Sequence, residues 1–282
     1  MKYSVVIPAY NEEKFIGITL ESLTSQTILP QQIVVVNDNS TDATAKIASE
    51  FALRFPWINV LDTTSEAVHL PGSKVIRAFE KGFAVIDPGF DIIVKADADL
   101  IFPENYFEEI LAKFASDAKI GMAGGFAYIE KNGDWVLENL TDKDHIRGAF
   151  KAYRKQCFDQ IGGLKPAMGW DTADELLCKF YGWNVVTLPQ LKVKHLKPTG
   201  STYDKAARFK QGAAFYTLGY GFLITAIASA KLAMRKKKPL LFLDYINGFL
   251  KARSEKKTML VNHDQARFVR AYRWKKMREK LF

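Results

Sequence analysis

Asp38, Asp97 and Asp99 have the residue type and position to do chemistry in this 282-residue chain. Asp38 follows the apolar run Ile33–Val36, and Asp97 and Asp99 follow Ile92–Val94. A carboxylate at the end of such a run can accept hydrogens from the N–H edge of a base or from a ribose hydroxyl. Two carboxylates at i and i+2 in an extended turn can hold a hard divalent cation, and such a cation carries a diphosphate. A D-x-D pair is weak alone, because Asp is common in turns. The ordered set weighs more than either member. No G-x-G-x-x-G follows the first apolar run, which counts against a dinucleotide-binding dehydrogenase. No G-x-x-x-x-G-K-[ST] occurs, which counts against a P-loop phosphotransferase.

The elements around these acids read as alternating strands and helices. Tyr3–Pro8, Gln32–Val36, Trp57–Leu61 and Asp91–Lys95 are short β-branched runs. Between them, Glu12–Gln26, residues 43–54 and Gly72–Phe83 carry apolar residues at helical spacing. Ser40 or Thr41 is a plausible cap for the second helix. Continuous apolar strands alternating with helices predict a parallel sheet covered on both faces. Its ligands should sit outside the carboxyl ends of the strands. From Ile120 the pattern turns strand-rich. Trp170–Tyr181 reads as a helix, Asn184–Leu188 and Leu191–His195 as strands, and the last 44 residues as basic helix.

Composition sets the bounds. Apolar residues are 48% and charged residues 25%, which excludes a wholly disordered, collagen-like or polytopic membrane chain. Cys157 and Cys178 are the two cysteines, too few for a disulfide framework or a four-cysteine zinc site. A reducing compartment is expected. The run Val5 to Tyr10 is too short for a signal-peptide core. Residues 231–282 hold 16 Lys/Arg and 4 Asp/Glu, while residues 1–230 sum to −3. A neutral-to-acidic body with a basic tail points to an anionic partner for the tail. A solvated helix face is the plainer alternative.

SVVIPAYNEEKFIGITLESLTSQT, QIVVVNDNSTDAT, GSKVIRAFEKGF and VKADADLIFPENY occur in that order, followed by YRKQCFDQIGGL, GWDTADELLCKFYGW and VKHLKPTGS. This set resembles the family 2 glycosyltransferases, over residues 3–212 or about three quarters of the chain. The resemblance implies an α/β GT-A nucleotide-diphospho-sugar transferase fold. That fold has a mostly parallel central sheet with helices on both faces. It implies a catalytic domain over 1–212, with a nucleotide-sugar half over about 1–100 and an acceptor half over about 101–212. Residues 213–282 would form an amphipathic, basic helical tail that associates with a membrane. The donor would be a UDP- or GDP-sugar, and the cofactor Mn²⁺ or Mg²⁺.

The same resemblance assigns roles by position. Pro8, Tyr10 and Glu12 line the nucleotide pocket, and Asp38 reads the base. Lys74 lies near the diphosphate, although GSKVIRAFEKG has less glycine than the family usually shows there; an exposed helix-start lysine is the alternative. Asp97 contacts ribose or the donor sugar, and Asp99 holds the metal. In the family the catalytic base is the Asp of a Glu-Asp pair opening a helix that ends in Gly plus an aromatic. That pair is missing here. Counting back the usual interval from Gly182-Trp183 lands on Asp171, which is favoured over Asp174. Either can instead be a helix-start acid stabilised by the dipole. His195 stands where some members place a third metal ligand, or is a structural hydrogen-bonder. His69, His145 and His263 have no comparable setting. Gly124-Gly125 and Gly162-Gly163 are either turns or places where backbone approaches a sugar. Trp170 can stack on an acceptor or pack in the core.

Residues 211–230 carry no formal charge and are followed by Lys231 and Arg235-Lys236-Lys237-Lys238. An interfacial helix fits best, ahead of a helix buried on the catalytic domain and of a true span. Arg208 and Lys210 are a weak hint of further diphosphate contacts. The expected protein is an inverting, metal-dependent glycosyltransferase, peripheral on the cytoplasmic face of the cell membrane. It would act on a glycan or lipid-linked acceptor in cell-surface polysaccharide or glycolipid synthesis, with no nucleic-acid partner. The alternatives are a non-catalytic, membrane-recruited binding module on a degenerate transferase fold, and a nucleotidyltransferase. The latter is disfavoured because PAYNEEKF has no glycine- and arginine-rich triphosphate loop.

Overall fold

The structure is a computed structural model that describes residues 1–64, 72–138, 143–197 and 209–279. Its first half alternates β1 (Tyr3–Ala9), α1 (Ile16–Thr24), β2 (Gln32–Asp38), α2 (Thr44–Arg54), β3 (Ile58–Thr63), α3 (Ser73–Phe83) and β4 (Ile92–Ala96). β1 and β2 are buried along their whole length, as continuous apolar runs require when both faces are covered. Tyr3, Val5 and Ile7 pack on one face with Leu20 of α1 and Phe51 of α2. Val6 and Val34 pack on the other with Ile76 and Phe79 of α3. α2 differs from expectation at its start: Asp42, not Ser40 or Thr41, accepts from the Thr44 N–H and hydroxyl.

The second half comprises β5 (Leu100–Ile101), α4 (Tyr106–Ser116), β6 (Ile120–Lys131), β7 (Asp134–Leu137), β8 (Phe150–Arg154), α5 (Lys155–Gln160), α6 (Trp170–Phe180) and β9 (Asn184–His195). All the described strands join one sheet, in the order β3-β2-β1-β4-β8-β6-β9-β5, with β7 paired to β6. β1, β2, β3 and β4 are parallel, and so are β6 and β9. β8 runs antiparallel to β4 and β6, β5 to β9, and β7 to β6. The sheet is therefore mixed rather than mostly parallel. The two strands expected over 184–195 are one strand, with a register shift opposite Gly124 and Phe126.

Four helices complete the described chain: α7 (Lys210–Thr217), α8 (Gly221–Arg235), α9 (Leu240–Ser254) and α10 (His263–Arg278). The uncharged stretch 211–230 is thus two helices, not one. Gly219, at φ 75°, turns the chain between them. No helix among the described residues is long and apolar enough to cross a membrane. Ala173 and Leu176 of α6 share a buried cluster with Phe215, Ile224, Phe249 and Val269 of these four helices. Val261 and Ala266 join the core beneath the sheet. The expected division at residue 212 falls inside α7.

Candidate active site

Because β1, β2 and β4 are parallel, their carboxyl ends open on one edge of the sheet. The loops leaving β1 and β2 are clamped together. The Asn11 N–H donates to Ser40 Oγ at 3.0 Å, the Thr41 N–H to Asn11 Oδ1 at 2.9 Å, and the Glu12 N–H to Thr44 Oγ1 at 2.7 Å. Asn11 and Asn39 take the left-handed conformation that these tight turns need, which asparagine tolerates. Asp38 ends β2, buried, and its Oδ1 has no hydrogen-bond partner among the described residues. A buried carboxylate oxygen left unpaired is costly unless a ligand donor meets it. Pro8 is buried within β1, and Tyr10 is exposed just beyond it. Lys74 is half-buried in the first turn of α3.

Asp97 and Asp99 leave β4 beside this crevice. The Asp97 N–H donates to the Ala149 carbonyl at 2.7 Å. β5 places Leu100 opposite His195, so the end of β9 delivers the imidazole to Asp99. His195 Nε2 lies 3.4 Å from Asp99 Oδ2, and its Nδ1 lies 3.3 Å from Glu138 Oε2. Arg147 in turn pairs with Glu138 at 3.1 Å. Burial disfavours the His195 cation, but Asp99 and Glu138 outweigh it and push the pKa up to about 9. One ligand atom from each of Asp97, Asp99 and His195 falls within 4.8 Å of the others. Two carboxylates and an imidazole suit Mn²⁺ or Mg²⁺, so the donor set fits the expected ion. Glu12 belongs to the same field: burial raises its pKa, Lys197 at 2.5 Å opposes, and Asp99 and Asp97 add to the rise.

The acceptor side is built on α6. Lys95 of β4 and Lys151 of β8 are register partners, both buried, and both ammoniums stand over the Trp170 ring at 5.5 and 5.8 Å. Lys95 pairs with Asp97. Lys151 donates to the Asp171 carbonyl at 2.5 Å and to the Asp174 carboxylate at 2.9 Å. Trp170 therefore ties the two halves of the site together, and its burial makes it a core residue rather than an exposed stacking surface. Asp174 is 2% exposed and also accepts from the Tyr153 hydroxyl at 2.6 Å. Burial, reinforced by Glu175, raises its pKa against the pull of Lys151. The Asp171 carboxylate remains 37% exposed and lies 3.7 Å from His145 Nε2. Burial raises its pKa, but His145 and Lys151 outweigh that and bring it to about 2.

Asp97, Asp99 and His195 are thus brought together, with Glu12 beside them and Asp38 on the same edge. Asp171 is partly exposed, whereas Asp174 is sealed in the core. His145, which sequence gave no setting, contacts Asp171 and also Glu175, at 3.1 Å. Glu138 and Lys151 were likewise missed. Their roles depend on β8 and the 143–149 loop reaching two other elements, and no local spacing records that. Gly124 and Gly125 lie within β6 rather than in a turn, with side-chain space taken by Ile146 and Leu191. Gly162 and Gly163 form a turn at positive φ. His69 and Arg208 lie outside the described residues. Lys210 opens α7, and His263 is exposed on α10.

Comparison with known proteins follows this geometry. The family described as glycosyl transferase family 2 matches residues 4–167. A probable glycosyltransferase of Bacillus subtilis, YdaM, is 37% identical over 216 residues, covering 67% of this chain and 49% of its own. A dolichol-phosphate mannosyltransferase of Pyrococcus furiosus is 29% identical over 212 residues, covering 67% of this chain and 56% of its own. The chain thus spans about half the length of these relatives. Among solved structures, the mannosyltransferase PcManGT of Pyrobaculum calidifontis, in complex with GDP-Man and Mn²⁺, superposes with a TM-score of 0.57 at 16% identity, over 90% of this chain and 75% of that one. Staphylococcus aureus TarS 1–349 in complex with UDP-GlcNAc gives 0.57 at 18% identity, over 82% and 67%. Both share the GT-A fold.

Proposed function

This chain belongs to glycosyl transferase family 2, and on that premise we propose that it is an inverting, metal-dependent transferase. It moves a sugar from a UDP- or GDP-sugar to a hydroxyl of a glycan or lipid-linked acceptor. Residues 1–212 form the catalytic part. Residues 213–282 hold the protein on the inner face of the cell membrane, in cell-surface glycan synthesis. The observation that carries this reading is the pairing of two unlike acid sites across Trp170. Lys95, which pairs with Asp97 of the Asp97, Asp99 and His195 group, and Lys151, which holds the Asp171 carbonyl, both meet the Trp170 ring.

Asp38 takes the N–H edge of the base, between Pro8 and Tyr10, and Asp97 takes a hydroxyl of the ribose or donor sugar. Lys74 lies toward the diphosphate. Asp99 and His195 would hold Mn²⁺ or Mg²⁺. That ion supplies positive charge against the negative charge that grows on the departing diphosphate. Glu138 fixes the His195 ring by holding Nδ1, which leaves Nε2 toward Asp99. Asp171 takes the acceptor proton as the hydroxyl attacks the anomeric carbon. The hydroxyl oxygen forms the new bond on the face opposite the breaking C–O bond, so the anomeric centre inverts. Asp171 is ionised at neutral pH because His145 and Lys151 hold its pKa low. His145 and the Trp170 packing fix where Asp171 stands.

The test is binding and turnover of a panel of UDP- and GDP-sugars with Mn²⁺. One donor should bind and be slowly hydrolysed, and excess EDTA should abolish the turnover. Failure to bind any nucleotide sugar, or full activity in EDTA, would overturn the reading.

A further inference from the structure

Lys95 stands where the rest of its strand is apolar. β4 reads Ile92-Ile93-Val94-Lys95-Ala96, and each of these residues is buried. The Lys95 side chain is 2% exposed. A lysine is almost never buried to that degree without a partner. Its ammonium stands 5.5 Å from the centre of the Trp170 ring and donates to Asp97 Oδ1. Lys151, its register partner on β8, already takes the Asp171 carbonyl and the carboxylates of Asp174 and Glu175. Among the described residues, Asp97 is therefore the acceptor on which the buried Lys95 charge depends.

One ligand atom from each of Asp97, Asp99 and His195 lies close enough to share an ion, yet the three are not equivalent. The Asp99 side chain is 9% exposed and faces the His195 imidazole at 3.4 Å. Asp97 has one oxygen committed to an internal cation, and its side chain is 32% exposed. Drawing that carboxylate onto a metal would set a second cation against Lys95 and weaken the pairing that makes a buried ammonium tolerable. The backbone also holds Asp97 in place, because its N–H donates to the Ala149 carbonyl at 2.7 Å. That leaves Asp97 Oδ2 to accept from a hydroxyl.

We propose that Lys95 is a positioning residue. It keeps Asp97 off the metal and reserves it for a hydroxyl of the donor, and the ion is left to Asp99 and His195. The inference rests on the transferase reading of this site but can fail separately from it.

Calorimetry with Mn²⁺ alone on the full chain provides the test, on the unaltered protein, on Lys95→Met, and on Lys95→Met combined with Asp97→Asn. Lys95→Met removes the internal cation and gives both Asp97 oxygens to the site, so Mn²⁺ should bind at least about tenfold tighter. The double variant removes cation and carboxylate together. Since Asp97 holds no metal in the unaltered chain, the double variant should bind Mn²⁺ within about threefold of it. Nucleotide-sugar binding, read on the same samples at saturating Mn²⁺, should nevertheless weaken by about tenfold in the double variant, because a charged acceptor for the hydroxyl is gone. Mn²⁺ binding about tenfold or more weaker in the double variant would make Asp97 a ligand and overturn the proposal. So would an unchanged Mn²⁺ affinity in Lys95→Met, or no Mn²⁺ binding by any of the three chains. If Lys95→Met does not fold, the double variant, which strands no charge, decides alone. If a nucleotide sugar binds the unaltered chain and the Mn²⁺ pattern is absent, the Lys95 assignment fails by itself; if no nucleotide sugar binds, the transferase reading fails and takes this inference with it.

Discussion

Lys151 donates to the carboxylate of Asp174 and to the backbone carbonyl of Asp171, and this separates two acids one helical turn apart. Removing the Asp174 carboxylate leaves a fully buried ammonium short of a counter-charge, at a cost of about 3–5 kcal/mol. Asp174→Ala should lower the thermal midpoint by on the order of 10 °C. Asp171→Asn removes one of the two carboxylates that face His145 and should lower the midpoint by less than Asp174→Ala does, while lowering turnover by roughly 10²–10⁴-fold. Melting curves and donor turnover on both variants check this; a stable Asp174→Ala or an active Asp171→Asn would reverse the assignment. His145 adds a pH signature. Burial lowers its pKa, but Asp171 and Glu175 outweigh burial and the nearby Lys151, raising it from 6.5 to about 9. A raised histidine pKa stabilises the fold fully below pH 6.5, and the contribution is lost as pH rises through about 9. The shift corresponds to about 3 kcal/mol at ~1.4 kcal/mol per pKa unit. Denaturant titrations between those limits should show stability falling with pH, with a shallower fall for His145→Gln. Equal slopes would exclude the role. The interval counted back from Gly182-Trp183 could point to Asp171 because a helix keeps its own spacing, as α6 does here. His145 was not legible, since its contact with α6 is made by a loop from another part of the chain.

Legibility at the level of elements follows the same division. β1, β2 and β4 are evident because burial on both faces demands unbroken apolar runs, and their ends mark Asp38, Asp97 and Asp99. β9 was less evident because Pro189 and Gln190 interrupt it, yet pairing with β6 carries it through. The break between α7 and α8 is set by Gly219, whose positive φ is invisible to a hydropathy reading. α7 and α9 illustrate a contact that sequence alone does not announce. A Cβ built on Gly212 would lie 1.8 Å from the Tyr245 carbonyl oxygen, and one on Gly248 would lie 2.1 Å from the Phe209 carbonyl oxygen. The two helices meet backbone to backbone at these glycines, so neither neighbour can move aside as a side chain would. Gly248→Ala should force the helices apart at a cost of about 1–3 kcal/mol, lowering the thermal midpoint by several degrees. Gly17→Ala on α1 is the contrast: its Cβ would meet Ile47 at 3.4 Å, an ordinary contact. Helix propensity favours that change, so the midpoint should hold or rise. Comparable losses in both variants would mean that general glycine effects, not the α7–α9 approach, are being measured.

For the whole molecule, charge and packing assign the last four helices two tasks at once. One side of them belongs to the core through Phe249, Val261, Ala266 and Val269, so deleting residues 231–282 would strip buried contacts and cannot report on surface binding alone. The other side exposes Phe222, Leu223, Leu240 and Leu243, in a segment that also carries Arg235, Lys236, Lys237 and Lys238. Apolar side chains inserted at a headgroup boundary, with cations beside them, are the means by which a surface helix holds an anionic bilayer. Each cation near the surface contributes about 1 kcal/mol, and only some of the basic residues can face the bilayer together. Full-length protein should therefore bind anionic vesicles at low salt and bind neutral vesicles weakly. Rising salt should release it, as the Debye length shrinks from about 10 Å at 0.1 M. Phe222→Asp with Leu223→Asp should abolish sedimentation with vesicles and leave the melting curve in place, because both side chains are already exposed. If the double variant still sediments, the exposed face of α8 is not what touches the membrane. If the unaltered protein ignores anionic vesicles at low salt, the basic tail serves a different partner, and a lipid acceptor would have to be drawn from solution rather than from a bilayer.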